Sequence, residues 1–172
     1  MKPYIVLEMV FIQKAYPDTV RTACSMIGEY IAGKGMNNLV SELELEPFEI
    51  KVQTLERTFV DKVFALCDYY MLGEVTRQSR HIYDIFKVIQ EINCLSLREL
   101  INDVRADRSV NKRCLSAQPN VSISDILYKI ITEAYFRKDY EEITSGLLNE
   151  NVSYDEAIES IRKIADGKYF DI

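Results

Sequence analysis

At Leu55 the hydrophobic pattern of the chain changes period, and no later stretch changes it back. From there to the C-terminus apolar residues recur at the three-and-four spacing that lines one side of an α-helix. This spacing predicts helices over 55–72, 80–93, 97–107, 123–137, 139–149 and 154–166. Before Leu55 the pattern is of another kind. Residues 4–12, Tyr-Ile-Val-Leu-Glu-Met-Val-Phe-Ile, are rich in β-formers and too few for a buried helix, so they read as a strand. Residues 48–52, Phe-Glu-Ile-Lys-Val, alternate apolar and charged side chains, as a strand with one wet face does. Between them Asp18 or Thr19 is placed to cap a helix reaching Ala32, which Gly33-Lys34-Gly35 then ends, and a short helix fits 38–43. The expected fold is α+β and mostly α-helical. A partial sheet region over 1–54, with one or two helices, precedes a helical bundle over 55–172.

Several boundaries carry their own chemistry. Ser96-Leu97-Arg98-Glu99 and Ser153-Tyr154-Asp155-Glu156 both fit a capping box, and Gly167 is placed to end the last helix. Residues 105–122, with Pro119 and scattered charges, read as a long connection. Two strands alone do not make a stable sheet in water, so the N-terminal region needs helices or further strands to complete it.

Composition narrows the function. A length of 172 residues, 48% of them apolar, suffices for one domain with a core. The net charge of −6 excludes a surface that is basic throughout, as a general nucleic-acid or anionic-membrane binder would require. The apolar runs fall well short of the ~20 residues of a membrane helix, and the N-terminus shows no secretory pattern. Cys24, Cys67, Cys94 and Cys114 are scattered and His81 is the one histidine, which argues against zinc and for reduced thiols in a cytoplasmic protein.

Three positions break the local pattern. On a helical wheel Leu55, Phe59, Leu66, Tyr69 and Tyr70 flank Lys62 on both sides, so a lysine sits within an apolar stripe. It either covers the stripe with its methylenes or aims its ammonium into a cleft that takes a phosphate. In Ser79-Arg80-His81-Ile82-Tyr83-Asp84, Ser79 is a candidate cap, and Arg80, His81 and Asp84 share a face. They form a surface pair, or a site with His81 as proton shuttle. Glu8 interrupts the apolar row of its strand; it is an acid at a wet edge or a carboxylate for a divalent metal.

Glu56-Arg57-Thr58-Phe59-Val60-Asp61-Lys62, followed by Ser79-Arg80-His81-Ile82-Tyr83-Asp84, resembles two motifs in the second half of the AbiEii/AbiGii abortive-infection toxin family. Lys138-Asp139-Tyr140 with Thr144, and Val152-Ser153-Tyr154-Asp155-Glu156, resemble its later segments. The resemblance implies a nucleotidyltransferase of the polymerase-β superfamily, acting as the toxin of a type IV toxin–antitoxin pair in phage defence. It implies Mg²⁺, a nucleoside triphosphate, an antitoxin partner and, in some members, transfer RNA as acceptor. Carried over by motif, Lys62 contacts the nucleotide's phosphates, Asp84 is the acid of the second motif, and Arg57, Arg80 and His81 flank the phosphates. Glu8 would be the strand carboxylate of the metal site.

The sequence departs from the family in one respect. The family's first half carries a glycine–serine element followed by a D-x-D pair, and neither occurs here. Without paired carboxylates a two-metal site is incomplete. The expectation is a truncated or partial enzyme with little activity alone, its β element the remnant of a nucleotidyltransferase sheet. The competing expectation is a non-catalytic helical module that binds an antitoxin, RNA or its own copies. Arg105, Arg108, Lys112 and Arg113 would then meet RNA phosphates or simply lie in a solvated loop. Homo-oligomerisation through an open sheet edge is also expected. A small enzyme of unrelated chemistry built on His81 and Asp84 ranks last, because nothing orients the pair toward a nucleophile.

Overall fold

The computed structural model describes residues 16–171; the strand expected at 4–12, and Glu8 with it, lies outside the described residues. The chain divides into two compact units, Ala15–Thr54 and the part from Leu55 onward.

In the first unit β1 (Asp18–Ala23) pairs antiparallel with β2 (Phe48–Gln53), Arg21 standing opposite Ile50 and Ala23 opposite Phe48. The connection carries two short helices, α1 (Met26–Gly33) and α2 (Asn37–Glu42). Asp18 and Thr19 therefore open a strand, not the helix expected of them. Thr19, Val20 and Thr22 are β-branched, and pairing with β2 satisfies their backbone, so the helix starts only after Ala23. Its cap is Ser25, whose Oγ accepts the Gly28 N–H at 3.0 Å. Gly28 has to be a glycine here: a Cβ would stand 2.8 Å from the Leu45 carbonyl oxygen. Among residues 16–54 only Gly28 and Val40 are buried. Val20, Met26, Ile27, Phe48 and Ile50 are exposed, so the unit holds scarcely any core of its own.

The second unit is helical. It comprises α3 (Leu55–Leu72), α4 (Arg80–Val88), α5 (Arg98–Ser109), α6 (Ile123–Thr132), α7 (Arg137–Asp139) and α8 (Tyr154–Gly167). Phe59, Phe64, Ile82, Ile101, Leu127 and Ile161, drawn from five of these helices, are wholly buried in one core. Phe170 closes it, its ring 6.1 Å from that of Phe59 and 5.6 Å from that of Phe64.

The helix ends differ from expectation where a local signal was absent or a distant partner prevailed. α3 has the bounds its periodicity predicts. α4 stops at Val88, short of 93. α6 stops at Thr132, short of 137, because Ala134 adopts φ +47° and the Tyr135 N–H folds back to the Ile130 carbonyl at 3.1 Å. This is a left-handed helix stop made without glycine. The helix expected over 139–149 is irregular: α7 runs into a π-helical turn, Tyr140–Thr144, and a 3₁₀ turn, Ser145–Leu147. Ser153 caps α8 as expected, accepting the Glu156 N–H at 3.2 Å. Ser96 does not cap α5. Its hydroxyl donates to the Asn93 carbonyl at 2.9 Å, and Leu97 stands at the cap position without a side-chain bond. α5 runs on to Ser109, so the irregular connection begins later than 105 and contains a 3₁₀ turn at Leu115–Ala117.

Candidate functional site

α3 and α4 pack against each other, and their contact joins the two motifs singled out in the sequence. Lys62 Nζ donates to Asp84 Oδ2 at 2.5 Å. The lysine side chain is 28% exposed and the aspartate 34%, so the pair lies at the rim of the core. Phe59 and Leu66, one turn to either side of Lys62 on α3, are buried. The lysine stem therefore crosses the apolar stripe, and its head emerges at the carboxylate. Asp84 pairs with α3, not with Arg80 four residues before it, which is exposed.

His81 lies behind this pair. Its ring stacks on Tyr69 of α3, centroids 5.4 Å apart and planes 14° from parallel. The side chain is only 10% exposed, and its Nδ1 stands 4.0 Å from Asp84 Oδ2, too far for a hydrogen bond. Both ring nitrogens are buried and meet no hydrogen-bond partner among the described residues. Burial lowers the imidazole pKa to about 4, helped by Lys62 and Arg80 and opposed by Asp84. At neutral pH His81 is an uncharged ring with one N–H to give.

Arg57 is buried, its Nε donating to Asp61 Oδ2 at 2.9 Å. Asp61 Oδ1 also accepts from Arg108 Nη1 at 3.3 Å, and Arg108 Nη2 donates to Asp68 at 2.8 Å. Asp68 in turn accepts the N–H and the hydroxyl of Ser116, each at 2.7 Å. Burial would lower the Arg108 pKa, but the Asp68 hydrogen bond and the neighbouring acids raise it on balance. A chain of charges thus binds α3 to α5 and to the Leu115–Ala117 turn. Arg105 Nη2 donates to the Phe170 carbonyl at 2.6 Å. Of the four cations considered for RNA, Arg105 and Arg108 are engaged within the fold, and Lys112 and Arg113 are exposed. The run in sequence is not one outward patch in space.

Two residues that sequence reasoning left without a role hold the start of α4. Ser79 makes no side-chain cap. Asp139, buried on α7, accepts the Arg77 N–H at 2.7 Å and the Ser79 N–H at 3.1 Å. Ser79 Oγ meets Thr144 Oγ1 at 2.7 Å. The start of α4, the helix that carries His81 and Asp84, is thereby fixed from a segment some 60 residues further on. The signal was present as polar residues at 139 and 144 in the later segment, but spacing alone does not say what they touch.

A groove of about 310 Å³ runs between α3 and α5, lined in part by Asp68, Tyr69, Leu72, Arg108, Asn111 and Arg113. Lys62 and Asp84 are not among its lining residues. Among the described residues no group of three or more His, Cys, Asp or Glu side chains could hold a metal ion. Asp84 meets Lys62 and stands without a carboxylate cluster, so the described residues do not by themselves fit a two-metal site. None of their helices is long and apolar enough to cross a membrane.

The model of one protein family, the nucleotidyl transferase AbiEii toxin of type IV toxin–antitoxin systems, matches residues 1–163. The chain belongs to the AbiEii family. No curated protein and no solved structure gives a match. AbiEii membership makes the chain one of a family of nucleotidyltransferase toxins, a kind that works with nucleoside triphosphate and Mg²⁺, and it implies an antitoxin as partner. The Lys62–Asp84 contact lies inside the matched AbiEii region, as do Arg57, Arg80, His81 and the Asp139 support.

Proposed function

We propose that this chain supplies the lysine–aspartate side of a nucleotidyltransferase site, Lys62 holding the phosphates of a nucleoside triphosphate and Asp84 positioning its ammonium. The observation that supports this is the 2.5 Å contact between two motifs on separate helices, at a rim that solvent reaches. A compact, mobile ammonium suits a phosphate oxygen, and a carboxylate partner keeps it aimed until an anion arrives. Arg80, exposed one turn before Asp84, adds a second cation. Arg57 and His81 act from behind, the first through Asp61. In the reaction the bond between α- and β-phosphates breaks and one to an acceptor oxygen forms, with pyrophosphate leaving; transfer RNA is the acceptor we favour.

This sequence holds no glycine–serine element with a D-x-D pair, so we infer that the chain has little transferase activity by itself and acts as a truncated or partial enzyme in phage defence, in the cytoplasm, beside an antitoxin. Glu8 remains our candidate for a metal carboxylate.

Incubation with labelled nucleoside triphosphates, Mg²⁺ and transfer RNA tests both parts. We expect background transfer, together with triphosphate binding that Lys62→Ala abolishes. Label transfer lost in Lys62→Ala would refute the inactivity; binding unchanged in that variant would refute the site. A second reading, a non-catalytic interaction module, is favoured by Val20, Phe48 and Ile50, exposed on a sheet of only two described strands. Such edges invite pairing between copies. Light scattering that finds a clean monomer would remove self-association.

A further inference from the structure

A buried imidazole whose two nitrogens meet no partner among the described residues, beside a carboxylate it does not touch, calls for a physical account. We propose that His81 is the second partner of Asp84: when a phosphate draws Lys62 away, Asp84 turns to the Nδ1–H of His81, which keeps the carboxylate in place. The inference rests on reading Lys62 as the phosphate ligand.

The geometry permits the exchange. Asp84 Oδ2 is 2.5 Å from Lys62 Nζ and 4.0 Å from His81 Nδ1, so the carboxylate must close about 1 Å to reach hydrogen-bond distance of ~2.9 Å from the ring. His81 has little freedom to move instead, because its ring is stacked on Tyr69 and shut from solvent. The charged and titratable groups facing it are Lys62 and Tyr69 from α3, and Arg80 and Asp84 from its own helix. Lys62 disfavours the imidazolium and Asp84 favours it. Removing the first and bringing the second closer therefore makes the ring more basic. His81 is a positioning residue in this scheme: it touches Asp84 and never the nucleotide. Anion binding at Lys62 is then coupled to the protonation of one buried ring.

His81 is the single histidine of the chain, so its imidazole signals in an NMR spectrum need no assignment. The full chain should show a ring titrating near 4. Lys62→Met, which frees Asp84 without any ligand, should raise that midpoint by more than about one unit and show the Nδ1–H tautomer at neutral pH. Lys62→Met combined with Asp84→Asn should lose the Asp84-dependent part of both changes. Inorganic triphosphate added to the unaltered chain should reproduce the Lys62→Met signature. If the single and double variants titrate alike, with the same tautomer, Asp84 is not taking up His81 and the proposal fails. If triphosphate shifts backbone amides around Lys62 but leaves the His81 midpoint unmoved, the proposal fails while the phosphate site stands. If triphosphate leaves every signal unmoved, the phosphate reading fails, and the two variants still decide the partner exchange.

Discussion

Asp139 accepts the backbone N–H of Ser79 across 60 residues of sequence, and by doing so it caps a helix to which it does not belong. Helix N-termini leave N–H groups unpaired, and a carboxylate satisfies them while opposing the helix dipole. Asp139→Ala would leave the buried Ser79 N–H and the part-buried Arg77 N–H without it, at a cost of about 2–4 kcal/mol. At ~2–4 °C per kcal/mol for a chain of this size, calorimetry should find the melting temperature lower by roughly 5–15 °C. Burial would raise the Asp139 pKa, but the bonds from Ser79 and the Arg77 N–H outweigh it and hold the carboxyl below its usual range. Its contribution is therefore present above the unfolded carboxyl value of ~3.9 and is lost as pH falls below that.

Lys62 should behave in the opposite way. Its ion pair is about a third exposed, and such pairs contribute little to stability, on the order of 0.5–1 kcal/mol. Lys62→Ala should melt within a few degrees of the unaltered chain and yet lose triphosphate binding. A large fall in melting temperature would mean that Lys62 serves the fold, covering the apolar stripe between Phe59 and Leu66.

What was legible in the sequence is what local chemistry encodes. The period of α3 fixes its bounds, Ser153 signals the start of α8, and the lysine among Phe59, Leu66 and Tyr69 stands out as an anomaly, though spacing does not name Asp84 as its partner. What failed was decided elsewhere in the chain. Thr19 and Val20 joined a strand because β2 was there to pair with them. Ser79 gave up its cap to Asp139, and the stop at Ala134 used a backbone turn that no glycine announced. Arg105 and Arg108 looked like a surface patch because sequence shows charge and not direction; the carbonyl of Phe170 and the acids on α3 turned them inward.

The buried charges between α3 and α5 give a third test. Asp68 takes bonds from Arg108 and from both donors of Ser116. Asp68→Ala leaves the buried Arg108 with only the longer bond to Asp61 and strands the Ser116 N–H, which should cost about 3–5 kcal/mol in urea unfolding. Asp68→Ala combined with Arg108→Met removes the cation too, and should recover part of that loss. If the double variant is less stable than Asp68→Ala alone, Arg108 contributes through Asp61 and Phe64 more than it costs.

His81 leaves a mark on stability as well. Its pKa is lowered from the ordinary 6.5 to about 4 by burial and by Lys62, so the folded chain resists a proton that the unfolded chain accepts. The stability it accounts for is complete above pH 6.5. As pH falls from 6.5 toward 4 the unfolded state gains protons first, and the fold weakens by up to about 3 kcal/mol before the ring itself charges. Denaturation measured across that range should slope upward with pH in the unaltered chain. In His81→Phe, which keeps the stack on Tyr69 and removes the titrating nitrogens, the slope between pH 4 and 6.5 should shrink to what the carboxylates alone impose. An unchanged slope would show that the ring takes up its proton as readily in the folded chain as in the unfolded one, and hence that water reaches it.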